Sequence, residues 1–222
     1  FISLKGLGWV GKISKCGGMI GTIIPAALLI VLGLTYLATG GHNNMDMSQS
    51  FWPDLTELDN LVLASGIFLF YAGMEMMGIH VMEVNNPAKN YPKAIIIGSL
   101  MTVAIFVLGT FSLGLIIPAK EINLTQSLLI GFDNYFKYLH ASWASPVIAV
   151  ALMFGVLAGV LTWVAGPSKG IYAVGKAGYL PPFFQKSNTN GVQRNILPVQ
   201  GSIVTRFSLL FVVMPSVQSF YQ

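Results

Sequence analysis

Of the 222 residues, 54% are hydrophobic and only 9% charged, where a soluble globular domain carries roughly 25% charged residues, so an ordinary soluble domain is excluded. The net charge of +4 is spread in small groups rather than gathered in one tract, which excludes a nucleic-acid patch. A single cysteine, Cys16, excludes an internal disulfide and a cysteine metal cluster.

Five runs are apolar and long enough to cross a ~30 Å hydrocarbon core, which takes roughly 17–25 residues each. The first, 17–38, comes after Lys5, Lys12 and Lys15. It is too long for a signal-peptide core and lacks a small-residue cleavage site, so it reads as a spanning helix, kinked at Pro25. The connection 39–60 has no Lys or Arg and carries Asp46, Asp54, Glu57 and Asp59; its Trp52 returns the chain to headgroup level. The second run is 61–84. Lys89 and Lys93 separate it from the third, 94–117.

Beyond the third run, 123–140 places Leu128, Leu129, Phe132, Phe136 and Leu139 at helical spacing. That pattern predicts an amphipathic helix across the outer surface, with a plain loop as the alternative. The fourth run, 146–165, holds Gly155 and Gly159, a small-xxx-small pair that predicts close helix packing, with clearance for a substrate as the alternative. Residues 169–186 predict a short helix ended by Gly178 and Pro181-Pro182, and 187–195 a turn-rich linker. The fifth run, 198–214, is interrupted by Arg206. Residues 118–145 are mixed, Lys120 and Lys137 against Glu121 and Asp133, and the other basic groups fall in alternate connections, as the positive-inside rule requires. They place residue 1, 86–93 and 166–197 in the cytoplasm, and 39–60 and 118–145 outside.

The second run carries the chemistry. Its middle reads Phe70-Tyr71-Ala72-Gly73-Met74-Glu75-Met76-Met77-Gly78. A charged group at mid-membrane costs on the order of 2.5–3.5 kcal/mol on insertion scales, so it serves function or pairs inside a bundle. Glycines beside it let the helix unwind, and unwound backbone at that depth lines a cavity or packs in protein. Secondary transporters build substrate sites from such broken spans. Tyr71, Ala72, Gly73, Met74 and Glu75 are therefore the candidate substrate-binding residues, Glu75 also the candidate for proton coupling or gating. The helix is expected to lose regular hydrogen bonding between Tyr71 and Met77.

Plainer roles compete. Glu75 could hydrogen-bond within a helix bundle, and Glu83 could pair with Lys89 or Lys93. His80 and Glu83 lie three apart, but without a second ligand pair no metal is expected. Met74, Met76, Met77 and Met82 suit adaptable packing. No nucleophile–base pair, H-E-x-x-H or phosphate loop is present, so neither an enzyme nor a cofactor is expected.

The broken run and the residues after it, Phe70-Tyr71, Gly73-x-Glu75, Glu83, Asn86-Pro87-x-Lys89, Pro92 and Ala94-Ile95, resemble the sixth helix and next loop of the amino acid–polyamine–organocation transporters. Gly166-Pro167-Ser168-Lys169-Gly170-x-Tyr172, Leu180-Pro181-Pro182-x-Phe184 and Asn190-Gly191-Val192 are similar to the segment after the eighth helix in the bacterial glutamate–GABA antiporter branch. The resemblance implies an all-α membrane protein, part of an inverted-repeat, LeuT-like transporter with a discontinuous helix. It implies the fifth to ninth helices of a longer chain whose N-terminal helices are missing partners. It also implies an amino acid substrate, antiport or proton-coupled uptake, and a place in the lipid bilayer of the cell (inner) membrane. Lys89 and Lys169 stand where arginines are expected, Gln193 replaces a proline, and Gly159 stands where glutamate–GABA antiporters carry an acid. A non-transporting membrane subunit of the same fold is the alternative.

Overall fold

The computed structural model describes residues 7–45, 53–71, 73, 78–79, 81, 84–123, 126–188 and 193–213. Among them all extended regular structure is helical; an isolated antiparallel bridge joins Ser187 and Gln193.

The first helix starts well before the expected run. α1 (Leu7–Gly18) passes through a π-helical turn, Met19–Ile23, into α2 (Ile24–Ala38). Proline has no N–H to give and its ring crowds the carbonyl four residues back, here that of Gly21. A wider π turn ending at Ile23, two residues before Pro25, accommodates that misfit where the kink is expected. Lys12 and Lys15 ride on the helix because lysine is a good helix former; hydropathy alone does not report it.

α3 (Leu58–Tyr71) has 14 residues, about 21 Å at 1.5 Å per residue. That is shorter than the ~30 Å core, so it covers only the first part of the expected 61–84 run.

α4 (Pro87–Ile116) begins seven residues before the expected 94. Asn86 sits at φ 51°, ψ 66°, a left-handed conformation that asparagine tolerates better than most residues. Pro87 then takes the first helical position, where its missing N–H costs nothing. The Asn86 carbonyl accepts from the Lys89 and Asn90 N–H groups at 3.1 and 3.0 Å. Asn-Pro is thus a helix start, and Lys89 and Lys93 lie on the opening turns rather than in a loop.

After α5 (Ser127–Tyr138), α6 runs from Ala144 to Val174 and on through a π turn, Gly175–Tyr179. The expected fourth span and the separate helix at 169–186 are one element. It ends at Gly178, φ 91°, and extended Leu180 before Pro181. α7 is Ile196–Val213.

Packing divides the chain into two units. In the unit drawn from Lys15–Pro53 and Asn85–Ala158, α5 buries Phe132, Tyr135 and Phe136 with Leu29, Leu32 and Leu115. The helix expected at 123–140 is present, but its buried stripe differs from the one expected. Ser127, Gly131, Phe132, Tyr135 and Phe136 point inward, whereas Leu128, Leu129 and Leu139 are exposed. The difference turns on Tyr135, polar by its hydroxyl yet buried by its ring. That hydroxyl donates to the Ser112 carbonyl, and burial, with Tyr36 second, pushes the phenol up to about 12, so it remains a neutral donor. Lys137 first, then the Ser145 hydroxyl at 2.9 Å, hold the Asp133 carboxyl below the usual range.

Close packing in this unit falls on Gly21 with Gly155. A β-carbon on either would meet the other's backbone, and one on Gly17 would come 2.6 Å from Ala158 Cβ. A β-carbon on Gly159 meets nothing within 4 Å. The expected Gly155–Gly159 pair is therefore corrected: Gly155 serves packing and Gly159 does not. Forcing a side chain into such a contact costs typically 1–3 kcal/mol.

The other unit draws on Phe1–Ser14, Asp54–Val84 and Gly159–Gln222. There Val10 packs with Leu161 and Ala165, and Thr162 Oγ1 donates to Ser14 Oγ at 2.9 Å, joining α1 to α6.

Candidate functional site

α3 stops at Tyr71, and two residues later Gly73 has φ 100°, a conformation side-chain-bearing residues rarely adopt. Among the described residues beyond Gly73, 78–79 form a short 3-10 turn. Tyr71 is the last described residue of α3. Ala72, Met74 and Glu75 lie outside the described residues, as do His80, Glu83, Met76, Met77 and Met82. The expected pairing of Glu83 with Lys89 or Lys93 therefore lies outside them too, as does any pairing of Glu75 with Arg206. Arg206 itself is an exposed residue of α7.

The structure adds residues that no local reading of 61–84 contains. A β-carbon on Gly73 would sit 2.7 Å from Cζ2 and 2.8 Å from Cη2 of the Trp163 indole. One on Gly170 would sit 3.4 Å from Ile79 Cδ1. Trp163 and Gly170 are seven residues apart on α6, two turns and about 10.5 Å along one face. One face of α6 therefore runs beside the chain at Gly73 and again at Ile79. Glycine at 73 serves twice, for the positive φ and for the approach of the indole.

Trp163 is about half exposed within the structure (55%). A sequence signal for it did exist. Tryptophan favours the membrane–water interface, so one in the interior of an expected span asks for a different reason. Nothing in the sequence could have paired it with Gly73, 90 positions away.

α6 is in turn fixed to α7. Ser168 is fully buried (0% exposed), its Oγ 2.6 Å from the Val164 carbonyl and 2.5 Å from Gln200 Oε1. A buried polar side chain needs such partners, and this one locks the helix that carries Trp163. Ser168 belongs to the Gly-Pro-Ser motif; Gln200 carries no such signal, because a glutamine at a span's start looks like a surface residue.

A cavity of about 320 Å3 opens elsewhere, between α2 and α4. Ile30, Leu34, Leu37, Leu108 and Phe111 line it with Asn43 and Ser112. It has no charged group to hold a zwitterion and none of the residues named above for the break.

Comparison with known proteins gives the family. The family model described as amino acid permease matches residues 1–221. A glutamate/gamma-aminobutyrate antiporter of Lactococcus lactis subsp. cremoris is 34% identical over 92% of this chain and 41% of its own length. An uncharacterized transporter of Legionella pneumophila is 31% identical over 100% of the chain and 48% of its own. A probable agmatine/putrescine antiporter of Lactococcus lactis is 24% identical over 92% and 44%. The chain spans less than half the length of these curated relatives.

Proposed function

The chain belongs to the amino acid permease family, and from that membership we propose that the protein containing it is a secondary active amino acid transporter, an antiporter or a proton-coupled permease. The family's fold is LeuT-like and all-α, and the chain is a multi-pass membrane protein. The substrate binds where α3 ends, in contact with backbone around 72–74, with Tyr71 and Trp163 closing over it. The observation that carries this is the stop of α3 at Tyr71, with Gly73 beyond it at φ 100° against the Trp163 indole.

Physical chemistry supports the assignment. The last-turn carbonyls of a helix lack intrahelical donors and form the negative end of its dipole. Those of α3 suit an ammonium group. The Trp163 indole is close by, and the face of such a ring attracts the same cation. Glu75 lies two residues beyond Gly73 and serves as the proton carrier or gate. Glutamate-like and GABA-like substrates are suggested by what the relatives are called. The absent acid at Gly159 leaves the side-chain preference of this protein to be measured.

The test is counterflow. Full-length protein in liposomes loaded with one unlabelled amino acid at a time should accumulate external labelled amino acid for at least one member of a panel. Protein that is inserted and folded yet exchanges none of them would favour the non-transporting subunit.

Topology is part of the same proposal. Lys12 and Lys15 on α1, Lys89 and Lys93 at the start of α4, and Lys169 and Lys176 late in α6 fall at alternate helix ends. Charge bias of that kind supports an orientation with these ends and residue 1 in the cytoplasm, in a protein of the cell inner membrane. The composite helix Trp9–Ala38 and α4 have 30 residues each, about 45 Å, so their charged turns reach beyond the apolar core. In a Cys16→Ser background, His42→Cys should react with an impermeant maleimide from outside and Lys186→Cys only after the membrane is opened. Reaction of both from outside overturns the orientation.

A further inference from the structure

Past the end of α6 the fold gathers three cations that are distant in sequence. Lys176, Lys186 and Arg194 are all exposed. Lys176 Nζ lies 5.3 Å from the Tyr172 ring centroid, and Tyr172 hydrogen-bonds the Ser187 side chain. Ser187 pairs with Gln193 in the antiparallel bridge. The Arg194 N–H donates to the Lys186 carbonyl at 3.1 Å, and Asn195 Nδ2 donates to the Phe183 carbonyl at 2.8 Å. These contacts bring the chain at 186–187 and 193–194 together at the end of the helix that carries Lys176.

The surrounding sequence holds no acid to answer them: from residue 134 to residue 222 there is no Asp or Glu. Beside the cations, Tyr179 is 82% and Phe183 51% exposed. The helix that delivers Lys176 and Tyr179, Ala144–Tyr179, has 36 residues, about 54 Å, longer than a ~40–45 Å bilayer with its headgroups. Its end therefore reaches the polar boundary, where aromatic rings settle and lysine stems lie along apolar surface with their charges outward.

The geometry points to a phospholipid site: Lys176, Lys186 and Arg194 bind the phosphate of an anionic headgroup while Tyr179 and Phe183 sit at its acyl boundary. A soluble anion would engage the cations but gain nothing from the two exposed rings, so the lipid is the ligand. Each basic residue near an anionic surface contributes about fivefold in affinity. The site stands apart from the transport reading, since a protein that fails counterflow can still carry it.

Thermal unfolding of the full-length protein in neutral detergent tests it, with phosphatidylglycerol, phosphatidylcholine and inorganic phosphate titrated separately. Phosphatidylglycerol should raise the midpoint and phosphatidylcholine should not, and the rise should shrink at high salt. The triple variant K176Q/K186Q/R194Q should need on the order of a hundredfold more phosphatidylglycerol for the same shift, whereas K176R/K186R should behave as the parent. Should the triple variant not fold, K176Q, K186Q and R194Q singly should each move the titration about fivefold. Equal response to the two lipids, unchanged titrations in the variants, or a full shift from inorganic phosphate alone would overturn the site.

Discussion

Gly73→Val is expected to abolish amino acid uptake while the protein still inserts in the membrane. A β-branched residue at φ 100° carries backbone strain of order 1–3 kcal/mol, and its β-carbon starts within 2.8 Å of the Trp163 ring. Crowding of that kind adds typically 1–3 kcal/mol. The break must then shift, and a misplacement of about 1 Å at a positioned site can cost a hundredfold in rate. Transport per inserted molecule should fall by tenfold or more, and Gly73→Ala should fall between the two. Uptake by the valine variant at more than half the parental rate would make the break merely structural.

The second large effect is expected at Glu75. An anion at membrane depth is costly, so a carboxyl that carries the coupling proton spends part of the cycle neutral. Glu75→Gln imitates that neutral form. Exchange of substrate should persist, uphill uptake driven by a pH gradient should vanish, and the pH dependence of transport should flatten. A contact with the substrate ammonium predicts something else, a loss of affinity in both modes, because a charge would be left unpaired at low dielectric. A packing role predicts lower thermal stability with transport per folded molecule unchanged. Exchange, gradient-driven uptake and melting measured on one preparation separate these outcomes. Unchanged pH dependence together with unchanged affinity removes Glu75 from the mechanism.

Which features were legible in the sequence depends on the forces each one answers to. A ~30 Å core demands unbroken apolar surface, so the runs at 17–38, 94–117 and 146–165 stand out. Helix ends answer to backbone hydrogen bonding instead. The turns bearing Lys12, Lys89 and Lys169 are helical although polar, because a helix asks only for backbone bonds, and hydropathy does not register them. The helix stop near Tyr71 was legible because Gly73 and Glu75 contradict an apolar helix from within. Trp163 and Gln200 were not, because their roles are set by tertiary contacts across 90 and 32 positions. On α5 the helical period was readable, but its inward face turned on Tyr135, whose hydroxyl hides how much apolar ring it buries.

Gly159 offers the most direct probe of the site. It lies one turn before Trp163 on α6, and a β-carbon there meets nothing within 4 Å, so Gly159→Cys should be accepted without disturbing the fold. Gly201 on α7 is equally open and serves as the control. In a Cys16→Ser background, labelling of each cysteine by a small permeant maleimide is monitored with and without a saturating amino acid that supports counterflow. If substrate binds at the break beside Trp163, it should slow labelling at residue 159 several-fold, leave residue 201 unchanged, and lose its effect when replaced by a non-transported amino acid. Labelling at 159 that runs at the same rate with and without saturating substrate would contradict the assignment.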